Sequence, residues 1–252
     1  MIVGYPAKEK GRLLLQAFLP VGAGRVVESI PDHLLPGGAA FYGVTPATKH
    51  LWAQARREGR DWYYIDNSYF DRCREVYFRV TRNALQRSGT EPSDGERFKA
   101  LEIEPKPWRA RGEHILVCPQ SDEFMRTVAE YPGDWLAETV RELRSTTGRE
   151  VRVRAWNRNK KAWYASLPED LKGCHALVTY SSASAISAML AGVPAICTGD
   201  DCISRPATAR EISQIESPVM NDGARLQVLR AAADGQWTVD ELRHGIAWKS
   251  LF

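Results

Sequence analysis

Residues 179–184, TYSSAS, join the apolar run HALVT to a run of small residues, AISAMLAG. Read as strand, loop and helix, this order puts Thr179, Ser181, Ser182 and Ser184 at a helix start, among backbone N–H groups that have no partner in the helix. Such a start carries roughly half a positive charge from the aligned peptide dipoles and is a ready anion site. Small side chains let a diphosphate reach the backbone, so these four residues are expected to bind the phosphates of a ligand. Arg154, at the end of the strand-like run VRVR, is the expected cationic contact to the same diphosphate. In the alternative, the serines only cap the helix and Ala and Gly let it pack closely on a sheet.

A second group follows the aromatic run WYYI. Asp66 ends it, and a carboxylate at a strand's carboxyl end can act as general base for a hydroxyl nucleophile. Tyr69, Arg79, Arg82 and Asn83 come soon after and are expected beside it on an acceptor-binding surface. Asp32, Asp71 and Glu75 are the other carboxylates within range, and Asp66 with Asn67 also suits a simple turn. A third group, RVRAWNRNKKAWY, sets Arg158, Lys160 and Lys161 among Trp156, Trp163 and Tyr164. Interleaved cations and aromatic faces suit phosphate or single-stranded nucleic acid, and equally a solvated basic loop.

The elements that must position these groups alternate. Strand-like runs are read at 2–5, 25–30, 39–44 and 62–65, with helices over 12–19 and from Pro46 to near Gly59. A stretch rich in Pro, Ser and charge, 86–111, reads as a linker. Beyond it come HILVCPQS, a helix over 135–144, VRVRAW, a short turn at 168–171, HALVTYSS, the small-residue helix closed by Gly192, VPAICTG, and two terminal helices over 224–233 and 238–249. Strand–helix alternation predicts parallel sheets. The expectation is therefore α/β: two compact Rossmann-like units with a cleft between them. Residues 1–111 would be the acceptor-side unit with its linker, and 112–252 the donor-binding unit with terminal helices.

Composition narrows the classes. A near balance of 34 Lys+Arg and 31 Asp+Glu, net +3, excludes a generally basic nucleic-acid binder and leaves only local patches. No run approaches the roughly 18 apolar residues of a membrane span, and no signal core stands at the N-terminus, so a cytoplasmic protein without a membrane partner is expected. Five scattered cysteines, Cys73, Cys118, Cys174, Cys197 and Cys202, match no zinc spacing, and no metal is expected. GYPAKEKGR lacks the GK[ST] of a P-loop, Ser181 has no G-x-S-x-G elbow, and the five histidines are isolated.

Over residues 170–199 the chain, DLKGCHALVTYSSASAISAMLAGVPAICTG, resembles the donor-binding half of GT-B-fold glycosyltransferases of the capsule-polysaccharide type. The resemblance implies a nucleotide-sugar cosubstrate, no tightly bound cofactor, and diphosphate contacts from Ser181, Ser182 and Ser184. Where that family carries a Glu to hold the ribose, this helix has Ser187 and Ala188, with Asp200 or Asp201 as replacements from the next loop. YYIDNSYF and YFRVTRNA resemble phage-encoded glycosyltransferase-like proteins, which implies a hydroxymethylated pyrimidine in phage DNA as acceptor, inside the host cell. The function expected first is transfer of a sugar or other group from a nucleotide-activated donor to a hydroxyl. The alternatives are a non-catalytic nucleotide- or DNA-binding module and a cell-surface polysaccharide glycosyltransferase.

Overall fold

The computed structural model describes residues 1–19, 22, 24–70, 76–154 and 160–251, without the side chains of 160–163. Along the chain run β1 (Ile2–Tyr5), α1 (Glu9–Phe18), β2 (Gly24–Val26), β3 (Gly38–Tyr42), α2 (Lys49–Arg57), β4 (Trp62–Asn67), β5 (Tyr77–Arg82), α3 (Glu96–Ala100), β6 (His114–Val117) and α4 (Asp122–Thr127). They continue with α5 (Trp135–Thr146), β7 (Glu150–Val153), α6 (Lys160–Asp170), β8 (Cys174–Thr179), α7 (Ser184–Leu190), β9 (Ala195–Cys197), α8 (Asp222–Asp234), β10 (Gln236–Thr238), α9 (Val239–Arg243) and α10 (Ile246–Lys249). None of these helices is long and apolar enough to cross a membrane.

The chain divides into two compact units, one of residues 1–85, 123–130 and 235–252, the other of 86–122 and 131–234. The first holds a six-stranded sheet in the order β10-β5-β4-β3-β1-β2. Successive side chains on a strand point to opposite faces, and the two faces build two cores. Ile2, Ala40, Tyr63 and Ile65 pack with Leu14, Leu15 and Phe18 of α1. Val3, Tyr5, Phe41, Trp62 and Tyr64 pack with Leu51, Trp52 and Ala55 of α2. This two-sided burial explains why these strands read as continuous apolar runs rather than as alternation.

Strands β1 to β4 pair in parallel, as expected, but β5 pairs antiparallel with β4. The link 68–76 is shorter than the dozen or so residues that a crossover needs, so the chain turns straight back. The chain end adds β10 antiparallel to β5, and the Trp248 ring then packs at a tilt against Phe18 and Tyr63, with centroids 5.5 and 5.3 Å away. The two expected terminal helices are thus parted: α8 stays in the second unit, while α9 and α10 complete the first.

The second unit is a four-stranded parallel sheet, β7-β6-β8-β9. The stretch expected as a linker belongs to it. Lys106 N donates to Leu190 O at 2.9 Å, Arg109 N to Gly192 O at 2.6 Å, and the Arg109 guanidinium to the carbonyls of Leu171 and Cys174. A polar, Pro-rich segment can look unstructured in sequence and still be strapped down by its backbone. The unit boundary accordingly falls at 85/86 instead of 111/112. The short turn expected at 168–171 is the end of α6, which carries Pro168 inside it.

Gly192 ends α7 with φ +73°, and a Cβ there would collide with the Pro107 carbonyl oxygen of the strap. Gly59 has φ +63° with open space around it. Both should lose the roughly 1 kcal/mol of a left-handed backbone on substitution by Ala, but Gly192→Ala must also displace the strap. A thermal melt is expected to drop clearly further for Gly192→Ala than for Gly59→Ala; equal drops would mean that the strap does not depend on this close approach.

Candidate functional site

In open parallel sheets, ligands bind beyond the carboxyl ends of the strands. In the second unit the loops after β6, β8 and β9 gather at that end. The four residues expected to bind phosphate share one loop, and the structure gives their groups distinct tasks. Thr179 is buried, its hydroxyl donating to Cys118 O at 2.7 Å. Ser181 N and Oγ both donate to Gln120 Oε1, at 3.1 and 3.2 Å. Ser182 Oγ accepts from Ser184 N at 3.2 Å, and Ser184 Oγ is buried without an oxygen or nitrogen partner. Of the three serines only Ser182 is not fully buried.

Two glutamines that the sequence reading did not single out hold this loop. Gln120 stands three residues past the end of β6, the strand next to β8 in the sheet, so a polar residue shortly beyond a neighbouring strand was the available signal. Gln86 donates to Ser181 O at 2.6 Å and to Asp201 O at 2.9 Å, and accepts from Ile203 N at 3.3 Å. It thereby ties the loop after β8 to the loop after β9. Gln86 comes from the stretch read as a linker, and nothing in its local sequence marks it.

An aromatic cluster lies beside the serines. The Tyr180 ring meets Tyr131 and Trp135 edge-on, with centroids 6.0 and 6.2 Å away, and Trp135 Nε1 donates to Thr198 Oγ1 at 2.9 Å. Gly199 lies under Tyr180: a Cβ there would come within 2.7 Å of the ring. Burial raises the Tyr180 hydroxyl pKa, and the carboxylates of Asp200 and Asp201 raise it further. The Tyr131 hydroxyl is pushed up to about 12, first by its hydrogen bond to Glu138.

Arg154, expected on the diphosphate, is 7% exposed and engaged within the unit. Its Nε donates to Asp170 Oδ2 at 2.6 Å and its Nη2 to Ser166 Oγ at 2.8 Å. A buried guanidinium needs a carboxylate, and α6 supplies one. Arg158 lies outside the described residues; Lys160 and Lys161 open α6, their side chains also outside them.

In the first unit Asp66 stands at the carboxyl end of β4, as expected, with a side-chain exposure of 27%. Arg79 Nη2 donates to its Oδ2 at 2.6 Å, Tyr64 OH to the same oxygen at 3.0 Å, and Asn67 N to Oδ1 at 2.8 Å. Tyr69 is buried with the Arg79 guanidinium 5.4 Å over its ring. The Tyr64 hydroxyl pKa is raised, first by burial and then by Asp66. Arg82 and Asn83 do not join this group. In the antiparallel pairing Asp66 faces Arg79 while Tyr63 faces Arg82, three positions or roughly 10 Å along the strand. There Arg82 pairs with Asp61 at 2.9 Å, and Asn83, at φ +55°, bonds both Asp61 and Trp62 N. Their hydrogen bonds lower the Asp61 carboxyl pKa.

Among the described residues no three His, Cys, Asp or Glu side chains gather as metal ligands. Cys118, Cys174, Cys197 and Cys202 are buried thiols, and burial pushes Cys118 up to about 12 and Cys174 up to about 11. The partnering of Arg154 has a measurable consequence. Arg154→Met should lower stability by on the order of 2 kcal/mol, since Asp170 is partly exposed and can rehydrate. Nucleotide affinity, measured well below the melting temperature, should stay within a factor of two or so of wild type; a selective loss of affinity without loss of stability would return Arg154 to the ligand.

No protein-family model matches the sequence, and no curated protein matches it. Solved structures do. The chain is similar to the beta Kdo 2,7 transferase of KpsC from Thermosulfurimonas dismutans, with a TM-score of 0.56 at 13% identity over 98% of this chain and 99% of that one. It is also similar to the beta Kdo 2,4 transferase of the same KpsC, with a TM-score of 0.54 at 16% identity over 92% and 90%. At such identities the likeness establishes the fold: mixed α/β with parallel sheets, as in GT-B glycosyltransferases.

Proposed function

We propose that this chain is a GT-B-like glycosyltransferase that moves a sugar from a nucleotide-activated donor to a hydroxyl acceptor. The observation that carries this reading is the convergence, at the carboxyl end of one parallel sheet, of a braced serine turn and an aromatic face. Ser182, the one serine of the turn that is not buried and whose hydroxyl hydrogen is still available, suits the donor's phosphates, and Tyr180 suits a flat or apolar part of the nucleotide. Thr179, Ser181 and Ser184 shape the turn rather than lend their hydroxyls. Likeness along almost the whole chain to two Kdo transferases supports the same reading, and it makes nucleotide-activated Kdo the first donor to try.

Asp66 is the proposed base. Its two oxygens accept three hydrogen bonds, and a carboxylate has about four lone-pair sites, so one remains for an incoming hydroxyl. Arg79 and Tyr64 then fix the carboxylate's orientation, as a base within hydrogen-bond reach requires.

For the acceptor we favour a glycan hydroxyl. Counterion release, which dominates DNA affinity, needs accessible cations. Arg79 is 7% exposed and bonded to Asp66, and Arg82 is paired with Asp61, so this surface offers little to a DNA backbone. Side-by-side turnover with glycan and hydroxymethylated DNA acceptors separates the two, and donor binding without turnover on any acceptor would favour a non-catalytic module.

Asp66→Asn should cut turnover by about 10² to 10⁴ while donor affinity holds. It also leaves the buried Arg79 without its counter-charge, a loss of up to roughly 3 to 5 kcal/mol. The double variant Asp66→Asn/Arg79→Gln removes that charge and should recover part of the melting temperature without recovering activity. Activity returning with stability would make Asp66 a structural residue and overturn its role as base.

A further inference from the structure

The loop after β9 carries two arginines on one carboxylate oxygen. Arg205 Nη1 and Arg210 Nη2 both donate to Asp200 Oδ1, at 2.8 and 3.0 Å, while the Asp200 side chain is 90% exposed. Arg205 is anchored as well by the carbonyls of Gly199 and Asp200, at 3.3 and 2.9 Å, and its side chain is only 24% exposed. Its Nη2 is buried and has no hydrogen-bond partner.

Two guanidiniums on a single oxygen leave one positive charge uncompensated at that point. The orphaned Nη2, one of several unmet buried donors among the described residues, adds to the unspent donor capacity at this point. An ion pair as exposed as this one is held weakly against water, so an anion of higher charge can take the carboxylate's place. Guanidinium groups match phosphate oxygens better than a lone carboxylate oxygen. The other acids between β9 and α8 have tasks of their own: Asp201 has its carbonyl tied by Gln86 and its carboxylate acting on Tyr180, the Glu211 side chain caps the short turn that follows it, and Glu216 pairs with Arg149.

The site lies beside the serine turn. Thr198 N donates to Thr179 O and Gly199 N to Tyr180 O, and Gln86 bridges the two loops. We infer that Arg205 and Arg210 form a phosphate clamp, and that Asp200 occupies it in the absence of ligand as an internal stand-in for the anion. This inference rests on the donor-binding reading of the same loops. It replaces Arg154 as the cationic contact and gives Asp200 a gating role in place of a ribose contact.

Inorganic pyrophosphate, titrated calorimetrically at low ionic strength, is the probe. Arg205→Gln should weaken binding about tenfold or more, the value of one charge-assisted bond. Arg210→Gln is the safer variant, because Arg210 is 58% exposed and, among the described residues, its guanidinium bonds Asp200 alone; it should weaken binding several-fold. Asp200→Asn removes the competitor and should tighten binding several-fold. The clamp is overturned if both arginine variants bind as wild type does, if Asp200→Asn weakens binding, or if the wild type binds no pyrophosphate. Ser182→Ala distinguishes the two readings. If it weakens binding while the arginine variants do not, the serine-turn reading stands and the clamp falls; if none of the four changes affinity, both fall.

Discussion

Two backbone hydrogen bonds just past the ends of paired strands govern the candidate site: Thr198 N to Thr179 O and Gly199 N to Tyr180 O. They extend the parallel pairing of β8 and β9 by one step and so force both loops to leave the sheet side by side. Everything nearby is arranged to permit this. Residue 199 must be glycine because the Tyr180 ring occupies the space of a side chain, and Thr198 is fixed by the Trp135 indole. Gln86 then converts two adjacent loops into one braced surface.

The handling of charge follows from burial. Arg79 and Arg154 are both nearly inaccessible, and each has one carboxylate at 2.6 Å. Such pairs are poor sources of net stability but expensive to break from one side. An arginine near a strand end therefore has two readings in sequence, ligand contact or buried half of an ion pair, and only the neighbouring helix or strand decides. For Arg154 the partner is Asp170, sixteen residues on, across the segment that leads into α6. Arg205 differs: it is anchored by backbone carbonyls, and its carboxylate partner lies in water.

Most strands and the α/β class were legible because parallel strands buried on both faces produce runs such as HALVT and WYYI. The serine turn was legible for the same reason, at a junction of two unambiguous patterns. The reversal at β5 was not, since YFRVTR carries no sign of direction and only the shortness of 68–76 forbids a crossover. That one reversal separates Arg82 and Asn83 from Asp66, which sequence proximity had grouped. The unit boundary was hidden because Lys106 and Arg109 strap the segment through main-chain N–H groups that nearly any residue would offer, and the Arg109 guanidinium adds bonds to carbonyls far along the chain.

The hydroxyls of the serine turn show what such a loop selects for. A hydroxyl already donating to a buried carbonyl, as Thr179 does to Cys118 O, cannot be spent on a ligand without leaving that carbonyl bare. The Ser181 hydroxyl is likewise engaged, on the Gln120 side-chain oxygen that also accepts from Ser181 N. Three of the four residues thus stiffen the turn, whose N–H groups at Ser181, Ser182 and Ser184 are themselves taken by the Gln120, Thr179 and Ser182 side chains; a turn fixed in this way is ordered before any ligand arrives. Under the proposed donor-binding reading, specificity comes from groups outside the turn: the aromatic face of Tyr180 and the charges of the loop after β9. A serine-rich sequence at a strand-to-helix junction is in this protein a mark of a turn held by its own side chains more than a row of free hydroxyls.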